Sequence, residues 1–251
     1  MTRLIRKIVL ACLAPLLFAG FVRADELTPT GIDTTRGEGI WIEENGSPVD
    51  AYFAGVIEIA LTSNGQQYDR DTLCVDLFTD IDLDVEYNTL VLSPDQVTGR
   101  NLDRVAWLVD NALLPTQNSG ISSALPSSDW VESVAQGAGI QLAIWDITSD
   151  GGNGFSTGSV QASTTPGEVT DPAALAWAEE YEALSLGQSS DSAFVYNNTA
   201  IGSGTPAQML EGPIFEDGGP TPVPEPAPGA VVGMALIGLW TTRRVWVGRQ
   251  G

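Results

Sequence analysis

Two residues of this chain could together form a reactive bond. Cys74 lies in residues 72–77 (TLCVDL), and Gln141 lies in residues 140–145 (IQLAIW). A thiol that attacks a carboxamide and expels ammonia leaves an internal thioester, which an amine on another molecule can open by acyl transfer. The pair therefore predicts a single covalent attachment to an amine rather than enzymatic turnover.

The local pattern sets both residues apart from an ordinary core. Period-two alternation puts Cys74 on the strand face opposite the apolar residues Leu73, Val75 and Leu77. Helical periodicity puts Gln141 on a partly aromatic stripe, where a buried carboxamide needs partners for two donors and an acceptor. Two other interpretations stay open: an inert buried cysteine, a common role for this residue type, and a hydrogen-bonded or half-exposed glutamine.

Composition excludes several classes of function. The chain has no histidine, and its one lysine is Lys7. Between residues 25 and 225, all 32 acidic residues stand against four arginines, which gives a net charge near −28. Histidine-based catalysis, histidine metal sites and lysine Schiff bases are therefore not expected in this region, and no cofactor is expected. Such a charge also opposes binding to nucleic acid or to an anionic membrane surface.

The N-terminus has the pattern of a secretory signal peptide. A basic start (MTRLIRK) is followed by apolar residues 8–22 and by small residues near position 24, so cleavage is expected after residues 1–24. Cys12 would leave with this segment, and Cys74 would be the one cysteine of the mature protein. A lipoprotein is a weaker alternative, because only about four apolar residues precede Cys12.

The C-terminus carries a second export pattern. A Pro/Gly linker at residues 216–228 ends in the motif Val223, Pro224, Glu225 and Pro226. Residues 229–251 then form an apolar segment, shorter than the roughly 20 residues of a full membrane span, and a basic tail with Arg243 and Arg244. A simple membrane anchor is one interpretation of this order.

The three parts together resemble the PEP-CTERM sorting signal of Gram-negative bacteria. The resemblance covers about thirty residues and implies recognition and removal of the tail by an exosortase-type enzyme. It also implies a transient inner-membrane anchor, followed by release to the cell surface or the extracellular matrix.

Residues 25–215 are predicted to form one α+β extracellular domain. Order is expected from Gly39, with hairpin turns at Asn45-Gly46 and Asn64-Gly65 and a strand or two over residues 71–88. Strands are expected again at residues 192–197 and 207–210. The predicted architecture is a β-sandwich or barrel-like part with a helical insertion over about residues 101–148.

Three helices are expected in this domain. The first covers residues 102–113 and ends at Pro115; the second opens at a capping box of Asp129 and Glu132 and runs towards Thr148. Two glycines inside the second helix are expected to weaken it. The third helix begins at Asp171, which is followed by proline, and runs through Leu186.

The reactive pair lies in motifs that resemble the thioester domains of bacterial surface adhesins. That family has Cys-x-Asp on a strand and Gln-x-Ala-x-Trp further on, as here at residues 74–76 and 141–145; residues 104–111 are similar to its first helix. Ile140 stands where adhesins commonly have threonine. The resemblance implies a Cys74–Gln141 thioester, with Asp76 orienting groups or moving a proton and Trp145 shielding the bond from water.

The resemblance also implies an amine-bearing surface or matrix target. The alternative is a non-reactive matrix or carbohydrate-binding module of the same fold.

Two acidic motifs are weaker candidates for a functional site. Residues 80–86 (DIDLDVE) begin like a calcium loop but lack its later glycine and glutamate, so a solvated strand face is preferred. Asp146 with residues 150–153 could hold a cation, but a turn explains them equally well.

Overall fold

The computed structural model describes residues 25–44, 46–117 and 122–213. The predicted signal peptide, the linker with Val223, Pro224, Glu225 and Pro226, the apolar segment and the pair Arg243 and Arg244 lie outside these residues. Among the described residues, no helix is both long and apolar enough to cross a membrane.

Antiparallel strands dominate the described domain, which is a mixed α+β fold. The strands are β1 (Asp25–Glu44), β2 (Asp50–Ser63), β3 (Gln66–Cys74), β4 (Tyr87–Leu92), β5 (Val160–Ala162), β6 (Thr164–Thr165), β7 (Glu168–Val169), β8 (Phe194–Ala200) and β9 (Leu210–Gly212). Seven of them form one sheet in the order β2-β3-β9-β8-β4-β1-β5, in which β1 also pairs with β2; β6 and β7 form a separate hairpin.

Strand β1 begins well before Gly39, where order was predicted to start. Its first residues pair with β4, most of its length pairs with β2, and its end pairs with β5. Gly37 lies opposite Gly55, so close that a Cβ on Gly37 would lie 2.7 Å from the Gly55 Cα. The early residues are poor strand formers by composition, and their strand structure is imposed by partners on both sides.

Strand β3 ends at Cys74, and the chain is irregular until β4 begins at Tyr87. The prediction of strand structure over residues 71–88 is therefore wrong between these two points, and the acidic motif at residues 80–86 lies in the irregular segment. The predicted Asn64-Gly65 turn is confirmed, because both residues have positive φ, 52° and 78°.

The first helical region continues past the predicted stop at Pro115. It consists of α1 (Leu102–Leu108), a π-helical turn (Val109–Leu113) and α2 (Leu114–Gln117). Proline cannot donate to the carbonyl of Asn111, four residues earlier, but the Ser123 hydroxyl donates to that carbonyl at 2.7 Å. The missing backbone bond is thus replaced, and the helix can contain the proline.

The central helix, α3 (Val134–Asp150), starts later than the predicted capping box. Its N-cap is Ser133, whose side chain accepts from the main-chain N–H of Gln136, while Asp129 lies in a separate 3-10 turn. Two glycines that were expected to weaken this helix permit close packing instead. A Cβ on Gly137 would lie 1.9 Å from the main-chain oxygen of Arg36 in β1.

The last helix, α4 (Pro172–Ser185), begins as predicted. The Asp171 side chain accepts from the main-chain N–H groups of Ala173 and Ala174. Helix α4 packs on α3, where a Cβ on Gly139 would lie 2.4 Å from the Trp177 Cβ. Because α3 lies between the sheet and α4, it is buried from Gln136 to Thr148, and a polar side chain there needs a partner inside the protein.

Candidate functional site

Cys74 lies where β3 loses one of its two neighbouring strands. On one side it pairs with Leu210 of β9, while pairing with β2 stops at Ile57 opposite Thr72. A continued register would put Gly55 opposite Cys74, but the pairing of β2 with β3 ends before that position. The main-chain groups of Cys74 that face β2 therefore need another partner.

The side chain of Gln141 is that partner. Its Oε1 accepts from the main-chain N–H of Cys74 at 2.9 Å, and its Nε2 donates to the main-chain oxygen of Cys74 at 2.6 Å. Gln141 is 0% exposed and Cys74 is 2% exposed. The carboxamide thus replaces a peptide group of the missing strand, and the structure brings together two residues that are 67 positions apart.

The thiol of Cys74 is protonated in this environment. Burial raises its pKa to about 12, while interactions with the Trp145 indole N–H and with the main chain of Asp76 act in the opposite direction. The sulfur donates to the main-chain oxygen of Asp76 at 3.2 Å, a bond that favours the protonated thiol. The indole nitrogen has no conventional hydrogen-bond partner among the described residues, so the sulfur is the polar group that it faces.

The carboxylate of Asp76 stabilises the turn after β3. It accepts from the main-chain N–H of Phe78 and from the hydroxyl of Thr79, and it lies 3.4 Å from the Arg100 guanidinium. The resemblance implied that Asp76 orients groups or moves a proton. In the structure, its main-chain oxygen, rather than its carboxylate, contacts the thiol of Cys74.

Trp145 lies one helical turn after Gln141 and is 2% exposed. Its ring packs edge-on against Tyr52, with the ring centres 6.2 Å apart. The same indole lines a surface cleft of about 180 Å³, which we call the Trp145 cleft. Its lining includes Trp145, Tyr52, Ile57, Leu77, Asp80, Ile81 and Gln208. Trp145 therefore lies in contact with both the cleft and the thiol.

Sequence reasoning missed Gln208. Its Nε2 donates at 3.1 Å to the main-chain oxygen of Asp76, which also accepts from the thiol of Cys74. Gln208 precedes β9 and reaches the site only because β9 pairs with β3. A glutamine in a loop far along the chain carries no local signal for this role.

The other acidic candidate forms a buried carboxyl pair. Burial raises the pKa of both Asp146 and Glu182, and their interaction raises that of Glu182 further. Asp146 accepts from the main-chain N–H of Gly154, and Asp150 accepts from that of Ser159, as in a turn. Within the described ranges, no group of three or more Cys, Asp or Glu side chains could hold a metal ion.

Comparisons of the chain with protein-family models, with curated proteins and with solved structures give no match.

Proposed function

We propose that this protein is exported to the cell surface or extracellular matrix and attaches covalently to an amine-bearing target through a Cys74–Gln141 thioester. The observation that carries the proposal is the contact between the Gln141 carboxamide and both main-chain groups of Cys74. Two residues far apart in sequence, one with a nucleophile and one with an acyl group, lie side by side with water excluded.

The geometry fits the first chemical step. The sulfur of Cys74 would attack Cδ of Gln141, and negative charge would develop on Oε1, which already accepts from the Cys74 N–H. A donor aimed at the oxygen that becomes charged stabilises such an intermediate. The proton of the thiol leaves with Nε2 as ammonia, so the step balances without an external base. A step in which the thiol supplies its own proton to the leaving ammonia suits Cys74, because burial raises the pKa of its thiol to about 12.

Bond formation changes two contributions to stability. Departure of Nε2 leaves the main-chain oxygen of Cys74 without its donor, which costs about 1–3 kcal/mol in a buried site. The new bond closes a loop across 67 positions, and chain entropy then stabilises the folded state by about 4 kcal/mol. The covalent form is therefore expected to be the more stable one towards unfolding.

A passive role has its own supporting observation. Both polar groups of the Gln141 carboxamide are satisfied by main-chain partners, and the thiol is buried and protonated. These facts also suit a structural clamp that replaces a missing strand. The second candidate function is thus a non-reactive matrix or carbohydrate-binding module in which Cys74 and Gln141 only stabilise the fold.

The remaining parts of the proposal rest on the sequence and on strand pairing. An exosortase-type enzyme would remove the C-terminal tail after a transient inner-membrane stage, and the net charge near −28 disfavours nucleic acid as a partner. We also infer a barrel-like sheet, supported by the pairing of β1, next to last in the strand order, with β2, the first strand. The protein would not be an enzyme, because its reaction consumes the site.

Intact mass of the purified mature protein tests the function. A thioester predicts one ammonia less than the sequence mass, and methylamine should add at Gln141 and release one thiol. Cys74→Ala protein should have its full sequence mass and take up no methylamine. Full mass for the wild-type protein, with no methylamine at Gln141, would establish the passive module instead. Thiol labelling of the folded protein is not decisive, because Cys74 is buried in either case.

A further inference from the structure

The Trp145 cleft has apolar walls, and its lining includes Trp145, which lies one helical turn after Gln141. Ile57 of β2 and Leu77 and Ile81 of the irregular segment form part of its lining. At its inner side, Trp145 contacts the thiol of Cys74. Neither Cys74 nor Gln141 lines the cleft, so a slim aliphatic chain along these walls would have its inner end at the Trp145 indole.

Negative charge surrounds the cleft. Asp80 is part of its lining, and the hydroxyl of Tyr52 donates to the Glu44 carboxylate at 3.1 Å. The charges of Glu44, Asp50 and Asp80 all act on Tyr52, whose pKa is raised to about 12 by burial and by these neighbours. None of the described residues that line the cleft is basic. A cationic ligand is therefore favoured at the mouth of the cleft.

We propose that the Trp145 cleft binds a linear aliphatic diamine, with one amine at Trp145, the methylene chain along Ile57 and Leu77, and the second ammonium at Asp80. The covalent step that follows rests on the thioester proposed above; binding to the cleft does not. A diamine fits better than a protein lysine, because a lysine side chain brings one ammonium and leaves the carboxylate of Asp80 without a partner.

The covalent step balances within the site. The Trp145 indole must move aside for this step, because Gln141 is 0% exposed and does not line the cleft. The inner amine, neutral when it reacts, then attacks Cδ of Gln141, and the bond from Cδ to the sulfur of Cys74 breaks. The amine nitrogen gives up one proton, which the sulfur takes to become a thiol again. The product is an amide whose far end still carries the ammonium paired with Asp80.

The test compares 1,5-diaminopentane with pentylamine, which has the same chain and one amine fewer. The rate of adduct formation is measured by intact mass for wild-type, Asp80→Asn and Asp82→Asn proteins. Asp82 is the matched control, because it is exposed in the same segment and does not line the cleft. If the second ammonium pairs with the exposed carboxylate of Asp80, the diamine should react up to about fivefold faster than pentylamine. Asp80→Asn should abolish it, and Asp82→Asn should keep it.

Cys74→Ala protein separates the two proposals. Calorimetry should show that Cys74→Ala protein binds 1,5-diaminopentane and that the double variant with Asp80→Asn binds it more weakly. This result would support the cleft proposal even if wild-type protein forms no adduct. Adducts that form equally fast with both amines and are unaffected by Asp80→Asn would overturn the cleft proposal and leave the thioester intact. A lysine peptide that reacts faster than the diamine would also overturn it, in favour of a protein target.

Discussion

Opening the thioester with methylamine should lower the free energy of unfolding of the wild-type protein. The covalent bond joins Cys74 to Gln141 across 67 positions, and closing a loop of that length removes about 4 kcal/mol of chain entropy from the unfolded state. Aminolysis removes this contribution. It also restores a nitrogen donor for the main-chain oxygen of Cys74, which recovers about 1–3 kcal/mol. The expected net loss is about 1–3 kcal/mol.

The measurement is urea unfolding followed by tryptophan fluorescence, at mildly acidic pH where thioesters hydrolyse slowly. Intact mass is recorded on the same samples, so that each curve belongs to a known covalent state. Cys74→Ala protein is the control, because it forms no bond and its stability should not change on methylamine treatment. If wild-type protein that has gained methylamine is as stable as the untreated form to within about 1 kcal/mol, the loop-entropy reasoning is wrong.

Three further predictions concern the residues around the site. In a Cys74→Ala background, Gln141→Leu should lower the free energy of unfolding by about 2–4 kcal/mol in urea titrations. The reason is that the change leaves the buried main-chain N–H and C=O of residue 74 unpaired. A loss below about 1 kcal/mol would show that the Gln141 carboxamide does not stabilise the end of β3. Burial raises the pKa of Asp110 to about 6 from an ordinary value of 3.8, so the folded state binds its proton more tightly. The free energy of unfolding of the wild-type protein should therefore fall as the pH rises from 3.8 to about 6. The Asp110→Asn variant should lack this decrease. If the variant and the wild type have the same pH profile, the assignment to Asp110 is wrong. Gly137→Ala should lower the melting temperature and cost about 1–3 kcal/mol or more of folding free energy, because the added Cβ overpacks against β1. The control is Gly39→Ala, whose added Cβ meets open space and which should stay within about 0.5 kcal/mol of wild type. Equal losses in the two variants would refute the packing argument.

Local chemistry in the sequence determined several features of the structure. Asn64-Gly65 specifies its tight turn because both residues accept positive φ, and Asp171 before a proline specifies the start of α4 through its own side-chain bonds. The mixed α+β composition followed from periodicity. The choice of Cys74 and Gln141 as partners came from residue types and their motifs, and the structure places these two residues in direct contact.

Only the tertiary structure decided where strands end and which groups meet. Strand β1 exists from Asp25 because β2 and β4 pair with it, although its early residues are poor strand formers. Pro115 remains inside a helix because a distant serine replaces the lost bond. Gln208 reaches the site through the pairing of β9 with β3. Hydrogen bonding between strands and packing between helices depend on partners far along the chain, so no local pattern could have placed them. The need for Gln141 beside Cys74 likewise arises where the pairing of β3 with β2 ends.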